Sequence, residues 1–351
     1  MSRSAALAVM SLALIAVIAA RWLDAPAAAA VGIVDAGTCG GASYSYTAEG
    51  VMGLAYIERA DFYSVGGGAI INAVSIQLNA FVESPGAVYW VQNVALIAKA
   101  DGGYRITVAD YVFNVSDYGS MEARGGGNVV RYTAGGRAVS FYQSSLTVGD
   151  LGLPASIGLM IAVNGSSISF YYSTGGGWRL YDSVELPGGG LEIRVGPGEE
   201  LEWVVAGPRE GYTARITEWS GWMRLLYERG GRWYAPPCAY SGSASPITAE
   251  RTSAAEGLAE YAYGDTVVQT AGRSAVYLLW RPEISVVWTA QGPAVLLTPP
   301  DGDWAVFVNG TRLGYAPAVL GPGSYNITAV LYAGSSPVYR RYIYVSSPSR
   351  S

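Results

Sequence analysis

From about Ser43 to Thr270 the chain is a succession of short runs of β-branched and aromatic residues, cut at close intervals by glycine-rich breaks. Helical periodicity is nearly absent from it. The run "AVSIQLNAFVE" shows the rule: Val74, Ile76 and Leu78 fall on one side, and Ser75, Gln77 and Asn79 on the other. That is the two-residue period of a strand. After the Ser84-Pro85-Gly86 break, "AVYWVQNVALIAK" reads as its hairpin partner. Later runs such as "YRITVADYVFNVS", "RAVSFYQSSLTV", "ASIGLMIAVNG" and "LEIRVGPGEELEWVVAG" keep the same spacing. Strands at this density predict an all-β fold, an antiparallel β-sandwich. One stretch, "TAERTSAAEGLAEYA" at Thr248–Ala262, reads instead as a short helix.

What the chain lacks narrows its chemistry. It contains no histidine. That removes Ser-His-Asp and Cys-His catalysis, histidine-ligated zinc and ordinary proton shuttling near neutrality. Its two cysteines, Cys39 and Cys238, do not make a closed metal site by themselves. No metal or cofactor is therefore expected. The net charge is −5 and Lys99 is the sole lysine, so no basic footprint for nucleic acid exists. An enzyme of this composition must work with carboxylates, amides or hydroxyls.

The ends suggest export and modular construction. After Arg3 the apolar run "AALAVMSLALIAVIAA" leads into "RWLDAPAAAA". This is the pattern of a secretory signal over residues 1–30 with cleavage near Ala30; an uncleaved anchor is the alternative. Four glycosylation sequons begin at Asn114, Asn164, Asn309 and Asn326. In an oxidising exterior Cys39 and Cys238 are expected to pair. A main domain is expected over 31–271 and a smaller all-β module over 272–351. Within the latter, "DWAVFVNGTRLGYAP" and "GPGSYNITAV" resemble PEGA-type surface domains, which implies a non-catalytic spacer or a cell-wall or surface attachment. The mature protein is expected to be an extracellular monomer.

Several runs of the main domain, in order, resemble the thermopsin family of secreted archaeal acid proteases. They are "VGIVDAG", "SYSYTAEGVMG", "NAVSIQLNAFV", "VYWVQNVALI", "ISFYYSTGGGWRLYDSVEL", "LEWVVAGPREG" and "PCAYSGSASPITAERTS". The resemblance spans residues 31–270 and implies peptide-bond hydrolysis at low pH and high temperature, with protein or peptide substrates. It brings no assigned catalytic pair. One departure is local: a Gly-Gly-Pro-Gly-Gly loop is replaced here by Ala206-Gly207-Pro208-Arg209-Glu210.

Two solutions for acid proteolysis are open, paired aspartates sharing a proton and a water-activating Glu with an oxyanion-holding Gln. Asp35 lies in "IVDAGT", close to the aspartic-protease signature, but no second such motif follows. Its simpler role is a turn beside Gly37. Glu202 interrupts the apolar strand "LEWVVAG"; facing inward, it would have a raised pKa. Gln92, between Trp90 and Val94, and Gln77 on the partner strand are candidate amide donors. Their alternative role is a structural network with Asn79 and Asn93. Glu250 resembles a Thr-x-Glu element of the family, its alternative being a first-turn helix Glu. The assignment taken is Glu202 with Gln92, with Gln77 and Glu250 in reserve, in an acid endopeptidase. A non-enzymatic adhesion or assembly protein is the competing class, and a carbohydrate-active sandwich with paired carboxylates a third.

Overall fold

A computed structural model describes residues 30–134, 136–243, 253–263, 265–272, 278–280, 282–314 and 318–346. The expected signal segment, apart from Ala30, and Glu250 lie outside the described residues. The fold is all-β, with two large sheets and three small ones.

The first large sheet runs, in spatial order, through Asn128–Ala134, Arg137–Leu151, Gly103–Asn114, Ala87–Ala100, Ala73–Ser84, Leu201–Ala206, Val31–Asp35, Ala239–Ser243 and Leu278–Trp280. The second runs through Arg179–Glu185, Ser167–Ser173, Ala155–Asn164, Gly50–Gly66, Thr213–Arg229, Thr266–Ala271 and Leu258–Tyr263. The inner faces of the two sheets share one core, from Ile33, Ile76 and Leu78 on one side to Ile57, Leu159 and Leu225 on the other. Trp203 fills the space between them and donates its indole N–H to the Leu54 carbonyl (3.0 Å). A Cβ on Gly53 would lie 2.3 Å from that ring, so the close approach requires glycine there.

The expected hairpin is present: Ala73–Ser84 pairs antiparallel with Ala87–Ala100. The alternation of the first strand does not mark one dry and one wet face, however. Val74, Ile76 and Leu78 are buried in the core, and Ser75, Gln77 and Asn79 are buried on the opposite face.

The helix expected at Thr248–Ala262 does not form in its described part. Ala254–Glu256 is a strand parallel to Thr213–Arg229, and Leu258–Tyr263 is an edge strand on Thr266–Ala271. Gly257, at φ +82°, breaks the chain between them. Pairing of Ala254–Glu256 with a distant strand, and of Leu258–Tyr263 with the strand that follows it, overrides the local alanine-rich propensity.

Beyond these sheets, a three-stranded and a four-stranded sheet enclose a separate small core of Ile284, Val295, Val306, Ile327, Ala329 and Val345. The Ala235 N–H donates to the Asp301 carbonyl (3.0 Å), and Arg229 faces Asp303 at 3.7 Å.

Cys39 and Cys238 form a disulfide across a sequence separation of 199. Closing a loop of that length removes about 5 kcal/mol of unfolded-chain entropy in the simple chain model, against a usual yield of 2–5. Reduction, or Cys39→Ser with Cys238→Ser, should therefore lower the melting temperature. An unchanged melt would show that the unfolded chain is already compact there.

Candidate active site

The polar side of Ala73–Ser84 and the carboxylate of Leu201–Ala206 meet because these strands are neighbours, with Glu202 opposite Asn79 and Val204 opposite Gln77. On the other side Asn79 stands opposite Gln92. Cross-strand partners share a face, so three residues remote in sequence form one polar row.

The hydrogen bonds along this face are directional. Asn79 Nδ2 donates to Glu202 Oε2 (2.9 Å), and Gln92 Nε2 donates to Asn79 Oδ1 (3.1 Å) and to Gln77 Oε1 (3.2 Å). Gln77 Nε2 donates to Ser75 Oγ (2.9 Å), which donates to the Gly207 carbonyl (2.7 Å). The chain thus ends at the loop whose sequence departs from the family pattern. All five side chains are buried, and Glu202 is 0% exposed. A carboxylate so placed is costly without hydrogen bonds, and the amide donor supplies one.

The structure brings Glu202, Gln92 and Gln77 together and adds Asn79 as the bridge. Asn93 is not part of this network. It points to the opposite face, donates to the Met160 and Tyr171 carbonyls (3.1 and 3.0 Å), and accepts from Tyr181 OH.

Asp35 lies elsewhere. Val34 is the partner of Glu202 and Asp35 that of Leu201, and successive residues face opposite ways. Asp35 therefore points into the sandwich while Glu202 points out of it. Its Oδ1 accepts from the Gly37 N–H (2.9 Å) and Tyr44 OH (2.6 Å), and its Oδ2 from Tyr46 OH (2.8 Å). Burial pushes its pKa up to about 6 despite these donors.

Four further buried acids among the described residues, Asp110, Asp182, Glu260 and Asp265, were not among the sequence candidates. Glu260 accepts from Gln269 Nε2 (2.6 Å) and from the Gly242 N–H, and burial raises its pKa to about 7. Asp110 is held well above the usual carboxylate range by burial and by the nearby Asp182 carboxyl. Asp182 accepts from Tyr142 OH (2.6 Å) and from the Gly126 and Ser183 N–H groups (2.9 Å each). For Asp110 and Glu260 the signal was present in "TVADYVF" and "GLAEYAY", each a lone acid in an apolar run, just as in "LEWVVAG".

No curated protein matches the chain. The thermopsin family model matches residues 16–254 of the 351 and takes in the whole polar row. The protein therefore belongs to the thermopsin family, which implies an acid protease with peptide substrates and an extracellular location.

Proposed function

We propose that this protein is a secreted endopeptidase acting at low pH and high temperature, with Glu202 as the water-activating carboxylate and Gln92 as the amide that holds the oxyanion. The observation that carries this is the buried row in which Glu202, Asn79, Gln92 and Gln77 are joined by side-chain hydrogen bonds. Glu202 takes a proton from the attacking water and later returns it to the leaving amine. Asn79 fixes the carboxylate through Oε2. The Gln92 N–H groups are engaged with Asn79 and Gln77 at 3.1 and 3.2 Å, so one of these bonds passes to the oxyanion as the tetrahedral intermediate forms. Gln77 and Glu250 stand in reserve as donor and acid. Because Glu202 is 0% exposed, substrate enters only when the groups covering it move, and their return over the bound substrate excludes bulk water. No metal takes part in this scheme. The C-terminal sheets act as a spacer or surface-attachment module on a monomeric enzyme.

The test is hydrolysis of a denatured protein by the purified chain, hot, across pH 1–7. Activity should peak in acid, fall towards neutrality and be indifferent to a chelator. A maximum near pH 7, or loss on chelation, overturns the scheme.

A further inference from the structure

The row that holds Glu202 continues past Gln92. Gln92 is opposite Tyr111, Tyr111 opposite Gln143, and Gln143 opposite Asn128. With strands about 4.8 Å apart, Gln143 sits about 10 Å from Gln92 on the same face. Exposure changes along the row: Glu202, Asn79, Gln92 and Tyr111 are buried, Gln143 is half-buried and Asn128 is exposed.

At that open end is a cleft of about 170 Å³ lined by Tyr111, Asn128, Gln143, Ser144, Ser145 and the Gly126–Gly127 bend. A Cβ on Gly127 would lie 2.0 Å from the Gln143 carbonyl oxygen, so only glycine lets the bend rest on the strand here. Gln143 Oε1 is buried, and no hydrogen bond reaches it among the described residues. A buried acceptor left unpaired is costly, a cost that a hydrogen-bond donor on a ligand would remove.

An extended peptide is such a ligand. At about 3.3 Å per residue, 10 Å corresponds to two or three residues from the scissile bond. The chemistry of the lining then chooses the side chain. No Asp, Glu, Lys or Arg lines the cleft, and the nearby Asp182 spends its oxygens on Gly126, Ser183 and Tyr142. A charged side chain would find no counter-charge, whereas a carboxamide can donate to Gln143 Oε1 and accept from the amide and hydroxyl donors around it.

We infer that this cleft is a specificity subsite selecting Asn or Gln two or three residues from the cleaved bond. The inference rests on the placement of catalysis at Glu202 and Gln92.

The experiment is mass-spectrometric mapping of cleavage sites in a proteome-derived peptide library, using the full chain, hot and in acid. Wild type, Gln143→Leu, Asn128→Ala and Glu202→Gln are compared. Wild type should enrich Asn and Gln at one position two or three residues from the cut. For matched peptides carrying Asn or Ala there, the kcat/KM ratio should fall roughly tenfold in Gln143→Leu, the worth of one good hydrogen bond. Asn128→Ala should move the same ratio in the same direction, which protects the test against a folding defect in one variant. Cleavage that depends on Glu202 but shows no such enrichment, or a ratio unmoved in both variants, overturns the subsite alone. Cleavage that survives Glu202→Gln overturns the active site and the subsite with it, as does an absence of cleavage by wild type.

Discussion

Glu202→Gln should lower turnover by about 10²–10⁴-fold, the usual contribution of a positioned general base, while the folded content at acid pH is unchanged. The side chain keeps its length, and its amide oxygen still accepts from Asn79 Nδ2, which now bonds Glu202 Oε2 at 2.9 Å. What is lost is the ability to take a proton. Asp35→Asn provides the contrast. Asp35 is on the opposite face of the sheet, bonded to Tyr44, Tyr46 and Gly37, and with a pKa of about 6 it is already neutral in acid. An amide resembles a protonated carboxyl, so turnover at low pH should change little. Assays of both variants at one acid pH, with circular dichroism as a folding control, decide between them. Loss of activity in Asp35→Asn with retention in Glu202→Gln would move the active site to the interior, and "IVDAGT" would then be a true signature.

The second large effect concerns stability against pH. Asp35 rises from 3.8 to about 6 and Glu260 from 4.5 to about 7, both mainly through burial, and Asp110 shifts the same way. Each folded-state pKa lies above the unfolded value, so between the two the native protein binds more protons. Stability from these groups is complete below about pH 4 and is lost as pH rises through 6 and 7. At 1.36 kcal/mol per pKa unit, Asp35 and Glu260 contribute about 3 kcal/mol each. Asp61, lowered by Lys99, has the opposite sign, but it lies on the surface, where such pairs contribute little. Melting temperature should therefore fall by on the order of 10 °C between pH 4 and pH 7.5. Calorimetry across that range is the measurement, and Glu260→Gln should flatten the slope. A melting temperature that is constant or rises towards neutrality would show that these carboxyls are not buried in solution. An acid optimum of activity then coincides with the pH range in which the fold is strongest.

Much of this architecture was legible in the sequence because its causes are local. Two-residue alternation in "AVSIQLNAFVE" and the Ser84-Pro85-Gly86 turn dictate a hairpin whatever surrounds them. Single polar residues within apolar runs singled out Gln77, Gln92 and Glu202 as groups whose burial needs an explanation. An oxidising exterior was reason enough to expect Cys39 and Cys238 to pair, and they do. The same local logic failed over the described part of Thr248–Ala262, where alanine-rich propensity suggested a helix, but Ala254–Glu256 pairs with the distant Thr213–Arg229 and Leu258–Tyr263 with the adjacent Thr266–Ala271.

What the sequence left open was face and partnership. A shift of one residue in register turns a side chain to the other side of a sheet, and nothing near Asp35 or Glu202 fixes the register of either strand. Only the pairing of Val31–Asp35 with Leu201–Ala206, and of the latter with Ala73–Ser84, sends Asp35 inward and sets Glu202 against Asn79, 123 positions away in the chain. The Asp182 beside Asp110 likewise comes from a strand far along the chain, whereas Tyr44, Tyr46 and Gln269 are 9, 11 and 9 residues from the acids they serve. Hydrophobic alternation determines that strands form and that they are buried. The non-local register of the closed sandwich determines which polar groups meet, because cross-strand contacts depend on long-range pairing that no short stretch encodes.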